Sequence, residues 1–201
     1  MRRALISFLS LFLIVPILAL ADSPVVVLQS ASNQMIAQLE KNKRQLKNKK
    51  VIHQIVNNVL VPHIEMNRMA ASVVGRNYWT SATKAQQQEF IQEFKYLVIN
   101  TYANALASYN GDRVEFYPLR GGASGQTVQV KSVIIRLNGQ RIPISYNVVN
   151  VSGVWKVYDF SIEGVSIVNN YQSQFANTLT QGGLPLLIKQ LYSFNRGGRS
   201  S

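Results

Sequence analysis

Apolar residues recur every three or four positions as far as Tyr109 and every second position from Arg113 onward. That change of period, placed at Asn110-Gly111, leaves few architectures open. A 3.6-residue period suits only a helix with one buried face, and an alternating one suits a strand. The chain is therefore predicted to fold as α+β: a helical part (25–110), an antiparallel sheet (113–162), and C-terminal helices (166–195).

The first helical stripe runs through Val27, Leu28, Ala31, Met35, Ile36 and Leu39, and the second through Ile52, Ile55, Val56, Val59 and Leu60. Pro62 should end or bend that second helix, because proline cannot supply the N–H a helix interior needs. Met66, Met69, Ala70, Val73 and Val74 make a third stripe, stopping at Gly75, a residue suited to a left-handed cap. Thr83 and Gln86 have capping-box spacing and open a long helix reaching Tyr109, the expected spine of the domain. Alternation then predicts four strands over 113–119, 127–137, 141–151 and 154–162, with Asn138-Gly139 and Ser152-Gly153 as tight turns. Pro143 places the third strand at an edge or beside a bulge. Four such strands form an antiparallel four-stranded sheet covered on one face by helices. A helix over 166–181, a Gly182-Gly183 break and a last helix over 184–194 complete the chain, with 196–201 as a frayed tail.

Met1-Arg2-Arg3, the apolar run Ala4–Leu20 and the Ala19-Leu20-Ala21 site describe a Sec signal peptide (1–21) cleaved after Ala21. A single domain, 22–201, would remain, and it is expected to be a monomer in the periplasm. The rival reading, an uncleaved anchor, meets a run at the short end of the spanning range. No cysteine is available for a lipoprotein anchor, a thiolate metal site, a disulfide or a nucleophile. The formal charge of +12 falls to +10 without Arg2 and Arg3. Outside the cytoplasm that charge meets anionic headgroups and acidic protein faces, not nucleic acid. Residues 41–50 (KNKRQLKNKK) carry six of the basic groups. A solvated helix end or loop is the plainer reading; a membrane surface or an acidic partner is the functional one.

Catalytic signatures are sparse. His53 and His63 are ten residues apart, without the spacing of a zinc helix. GGASG (121–125) has neither a phosphate-loop lysine nor a nucleophile-elbow context. Glu89 and Glu93, one turn apart, read as a solvated face. Asp159 lies within an apolar strand. It is either a carboxylate satisfied by backbone or arginine, or a general base in a cone-shaped pocket.

Three stretches carry a resemblance: VPHI (61–64) leading to GRNYWTSAT (75–83), AQQQEFIQEFKYLV (85–98), and WKVYDFSIEGVSIVNNYQSQF (155–175). W-x-x-Y-D followed by E-G-V-S at Trp155–Ser166, and S-A-T-x-A-Q at Ser81–Gln86, are the most specific elements. The mature chain resembles the MlaC, or toluene-tolerance, family of periplasmic phospholipid carriers of Gram-negative bacteria. That family often has proline after S-A-T where this chain has Lys84, a residue equally acceptable in a first helical turn. The resemblance implies a sheet of the nuclear-transport-factor-2-like type with added helices. It implies a deep apolar pocket for acyl tails, a headgroup left at the mouth, no cofactor and no catalysis. Its partners would be phospholipid, a ring of MCE-domain subunits on an inner-membrane ABC transporter, and an outer-membrane lipoprotein–porin complex. The role so implied is maintenance of outer-membrane lipid asymmetry. The alternative is an exported enzyme on the same cone fold, with Asp159 as base.

Burying an acyl chain of about sixteen carbons gains on the order of 12 kcal/mol at ~0.8 kcal/mol per methylene, more than a headgroup hydrogen bond supplies. Tail burial should therefore dominate affinity, in a cavity of roughly 1,000 Å³ or more. Face patterns nominate its walls. Met66, Met69 and Val73 come from the third helix, and Phe90, Phe94, Leu97, Val98 and Tyr102 from the long one. Ile134, Ile144, Tyr146, Val148, Val157 and Phe160 come from the sheet, and Val165 and Ile167 follow it.

Overall fold

The structure, a computed structural model, describes residues 23–197 apart from 120, 122 and 124. The signal-peptide segment therefore lies outside the described residues. Helix α1 (Pro24–Lys41) begins with its proline in the first turn, and α2 (Lys49–Val59) is capped by Asn48, whose Oδ1 accepts from Lys50 N–H at 3.0 Å. A 3-10 turn at Val61–His63 takes the bend assigned to Pro62 and leads to α3 (Met66–Val74). Gly75 ends α3 at φ 83, ψ 152. That is a glycine-only extended conformation, not the left-handed cap expected. The short helix α4 (Arg76–Ser81) has no counterpart in the sequence reading, since six residues show too little of an apolar period. Helix α5 (Lys84–Ala107) opens on the expected capping box: Gln86 N–H donates to Thr83 Oγ1 at 3.2 Å, and Thr83 N–H donates to Gln86 Oε1 at 2.9 Å.

The sheet has five antiparallel strands in the order β1 (Arg113–Phe116), β2 (Thr127–Ile135), β3 (Arg141–Val151), β4 (Val154–Ile162), β5 (Val165–Ser166). The fifth corrects the four-stranded expectation. It returns after a turn in which Glu163 (φ 51) and Gly164 (φ 86) both take positive φ, and two residues are too few to show alternation. Between β3 and β4 the register shifts at Asn147/Val148, so that Asn147 faces Asp159 while Val148 faces Val157. Tyr158 is the extra residue of a β-bulge. Because of it, Val157 and Phe160 point to the same side although three positions separate them.

Apolar side chains gather in three groups rather than one. Helices α3 and α5 and the last helix, α6 (Ile167–Gly197), share the largest, which includes Val73, Phe90, Phe94, Tyr171 and Phe175. The second joins α1, α2 and the later half of α5 through Met35, Leu39, Ile52, Ile99 and Ala103. In the third, Leu28 of α1 packs over Val130, Val148, Trp155 and Val157 of the sheet.

The break expected at Gly182-Gly183 interrupts α6, where Gly183 stands at φ 62, ψ −162. A Cβ on Gly182 would lie 2.7 Å from both Cβ and Cδ2 of Leu186, a backbone-proximal clash that side-chain rotation alone does not relieve. Gly182→Ala should cost about 1–3 kcal/mol by overpacking. In thermal denaturation this reads as a fall of about 2–4 °C in Tm per kcal/mol. An unchanged Tm would mean that α6 bends elsewhere.

Candidate functional site

Where the three apolar groups meet, they do not close. They enclose a cavity of about 480 Å³. Leu28, Ala31, Met35, Ile36 and Leu39 of α1 form one wall, and Val56, Leu60 and Val61 extend it. The opposite side is the sheet, through Val114, Ile134, Ile142, Ile144, Tyr146, Val157, Phe160 and Ile162. Met66 and Met69 of α3, with Phe94, Val98, Ile99, Tyr102, Ala105 and Leu106 of α5, complete the enclosure. From Phe94 to Leu106 at 1.5 Å per residue, the α5 wall is about 18 Å long. That exceeds the ~15 Å half-thickness of a bilayer's hydrocarbon core.

Ten of the sixteen predicted residues line this space: Met66, Met69, Phe94, Val98, Tyr102, Ile134, Ile144, Tyr146, Val157 and Phe160. The other six lie elsewhere. Val73, Phe90, Leu97 and Ile167 belong to the solid α3–α5–α6 group, Val148 is buried beneath α1, and Val165 is 57 % exposed on β5. The reason is that α5 is apolar on two sides, one packed against α3 and α6 and the other facing the cavity. Phe94 stands on the boundary, making edge contacts with Tyr171 and Phe175 while reaching the cavity. The α1 and α2 residues that line the cavity are not among the sixteen nominated from face patterns. Their helical stripes were visible, but nothing in a stripe tells which neighbour it meets. The volume is also about half of that expected, and within the cavity wall the Tyr102 ring of α5 and the Phe160 ring of β4 approach to 6.4 Å.

Polar lining groups include His63 and Lys95, as well as a set at the α5 C-terminal end: Tyr109, Asp112 and Arg136. Three tyrosines of the cavity hold their protons more tightly than a free phenol. Burial raises Tyr146, against a smaller opposing effect of its hydrogen bond with Ser132. Burial and then Tyr171 raise Tyr102, while burial followed by Glu40 and Asp112 raises Tyr109. The lining phenols thus remain neutral hydroxyls through the physiological range.

Asp159 does not line the cavity. Its Oδ1 accepts from the Val168 N–H at 3.1 Å, and its Oδ2 accepts from Ser166 Oγ at 2.8 Å and Asn147 Nδ2 at 3.3 Å. Ser166 Oγ in turn accepts from the Asn169 N–H at 3.1 Å, as an N-cap does. The carboxylate thereby satisfies the first turn of α6 and sits where the helix dipole favours negative charge. This arrangement gives the general-base reading no geometric support. It also accounts for the sequence motif: Tyr158 is the bulge residue, covered by the Arg68 guanidinium 4.0 Å above its ring; Glu163-Gly164 turns the chain; Ser166 caps the helix.

Glu93 departs from the solvated-face reading. It accepts from Asn195 Nδ2 at 2.7 Å and pairs with Arg196 at 3.7 Å, holding the end of α6 to α5, whereas Glu89 is exposed. The basic run 41–50 is largely exposed, with a 3-10 turn at Lys43–Gln45 between α1 and α2. Lys47 and Lys49 border a shallow groove of about 370 Å³ against Ala103, Ala107 and Ser108. Among the described residues, no three His, Cys, Asp or Glu groups are placed to hold a metal, and no helix is long and apolar enough to cross a membrane.

Fold and cavity together define a class: an α+β protein built around an elongated, predominantly apolar hollow, with a cluster of polar groups (Tyr109, Asp112 and Arg136) at the α5 C-terminal end. Comparison with known proteins makes the assignment specific. The chain belongs to the MlaC family, whose profile, described as MlaC protein, matches residues 29–193. It is 29 % identical over 185 residues to the toluene tolerance protein ttg2D of Pseudomonas putida, spanning 91 % of this chain and 84 % of that protein. It is 26 % identical over 187 residues to the intermembrane phospholipid transport system binding protein MlaC of Haemophilus influenzae, spanning 91 % and 87 %. Its fold matches that of a phospholipid-binding protein from Ralstonia solanacearum, solved in complex with a phospholipid, at a TM-score of 0.82 and 30 % identity, over 88 % of this chain and 98 % of that one.

Two measurements test this local chemistry. Asp159→Ala leaves the Val168 N–H without its acceptor and should lower stability to urea by about 1–3 kcal/mol. Equal midpoints for variant and wild type would show that the clamp is dispensable. The raised tyrosines ionise more readily in the unfolded chain, so their stabilisation is complete below about pH 10 and declines as pH rises further. The urea midpoint should fall above that pH, and less steeply in Tyr102→Phe. Identical slopes would exclude Tyr102 from the effect.

Proposed function

We propose that this protein binds a phospholipid by burying acyl chain in the cavity and carries it through the periplasm. The observation that carries the reading is the hollow itself, predominantly apolar along about 18 Å of helix, with the polar cluster Tyr109, Asp112 and Arg136 at one end. An amphiphile with a long tail and a charged head has that shape and that distribution of polarity. Each buried chain of about sixteen carbons contributes on the order of 12 kcal/mol, so the apolar walls supply most of the affinity. The phospholipid in the Ralstonia solanacearum relative and the transport role named for the Haemophilus influenzae relative support the same ligand class.

In this reading the contacts to hydrocarbon come from residues such as Met66, Met69, Val98, Tyr102, Ile144 and Phe160, with Met35 and Leu39 of α1 opposite them. Thioether chains adapt to tails of different length and unsaturation. Non-directional walls discriminate poorly between them, as a general carrier requires. The signal peptide, cleaved after Ala21, would deliver the carrier to the periplasm. Its route would run between an outer-membrane lipoprotein–porin complex and the MCE-domain ring of an inner-membrane ABC transporter, maintaining outer-membrane lipid asymmetry. No chemistry is performed on the lipid.

Native mass spectrometry of the protein purified from a Gram-negative host should reveal a bound phospholipid. Ala105 lines the cavity and is exposed at its edge, so Ala105→Trp should obstruct it without disturbing the solid groups. We expect that variant to keep its circular dichroism and retain at least tenfold less lipid. Absence of phospholipid from the wild-type protein would refute the proposal.

A further inference from the structure

We propose that Arg136 is the anion anchor of the cavity, a fork for the phosphodiester of the lipid whose tail lies against the walls. The inference rests on the lipid-binding reading and adds to it a specificity-determining residue. Arg136 follows the last residue of β2, two positions beyond Ile134, so alternation turns both toward the hollow that both line. Its backbone is fixed on both sides: its N–H donates to Gln140 O at 3.0 Å, and its carbonyl accepts from Gly139 N–H at 2.9 Å.

The side chain is held but not satisfied. Nη1 donates to Ser108 Oγ at 3.3 Å, and Nε is buried without a partner. Among the described residues its guanidinium forms no ion pair. Asp112 lies beside it in register, because Arg113 faces Ile135 in the adjacent pair, and Glu163 also lines the hollow, yet among the described residues neither carboxylate forms an ion pair with it. Arginine is a permanent cation; its Nε–H is buried without an acceptor, which is costly, while the residue as a whole is half-buried and its Nη1 edge reaches the surface beside Ser108. An anion at the accessible edge supplies the missing counter-charge, and a phosphate oxygen pair matches the guanidinium fork in two parallel hydrogen bonds. A molecule bringing that anion to the rim of an apolar hollow is a phosphate-bearing lipid. A free phosphate would satisfy the charge while leaving the walls unused.

The test uses the mature protein incubated with vesicles holding equal amounts of a phospholipid and a diacylglycerol with the same chains. Native mass spectrometry of the recovered protein then gives the ratio of the two lipids. Wild type should favour phospholipid about tenfold or more, Arg136→Gln should bring the ratio near one, and Arg136→Lys should restore part of it through charge without the fork. Circular dichroism establishes that each variant is folded. Millimolar glycerophosphate, which has the anion but no tails, should leave the wild-type ratio unchanged. An Arg136→Gln protein that loads both lipids in the wild-type ratio overturns the anchor and leaves the carrier reading standing. So does complete competition by glycerophosphate, which would mark a site for free phosphate. A wild-type protein that takes up neither lipid overturns both.

Discussion

One constraint organises the molecule: α5 is apolar on two sides, and no single partner can cover both. One side is consumed by α3 and α6, which supply the aromatic contacts of Phe90, Phe94, Tyr171 and Phe175. The other must meet α1, α2 and the sheet, which also have to meet each other. Helix α1 covers the sheet with its first half and joins α2 with its second, so it leaves the Ile134, Ile144 and Phe160 region uncovered. A close-packed interior would need more bulk in that gap than the lining side chains supply, even with Tyr102 and Phe160 in edge contact across it. The hollow is thus a result of how three solid groups are spaced.

The Asp159 clamp supports this spacing from outside. Helix α6 has to begin at a fixed point for its aromatic side chains to reach α5, and the carboxylate binds the first turn to β4 through Val168 and Ser166. At the far end of the same helix, Asn195 donates to both the backbone and the side chain of Glu93. Hydrogen bonds therefore fix α6 at each end, while apolar packing holds its middle. Asp159, the carboxylate weighed as a general base in the sequence, holds the helix start by hydrogen bonds.

Much of this was legible before any coordinates. The change of period at Asn110-Gly111, the capping box at Thr83, the Gly182-Gly183 break and the short turns all depend on neighbours in sequence, and all appear where local chemistry puts them. Legibility failed where distant segments decide. No period announces a two-residue strand such as β5, or a six-residue helix such as α4. Phe90 and Phe94 sit one turn apart on the same helix, yet the first is solid core and the second touches the cavity. Met35 and Leu39 form a wall because α1 crosses both α2 and the sheet, a fact of three-dimensional placement alone. Arg136 was unremarkable in sequence; only its unpartnered Nε singles it out.

The bulge at Tyr158 also acts as a guard on strand alignment. By accommodating one surplus residue, it lets β4 present Trp155 and Val157 and then, with parity reversed, Phe160 and Ile162 to one side. Were β4 to pair without it, Asp159 would swing among hydrocarbon side chains while Phe160 turned to the other face. A carboxylate in such surroundings is heavily penalised, so the misaligned sheet is expelled from the set of competing folds. The same acid that fastens α6 thus proofreads the pairing of the strand that carries it.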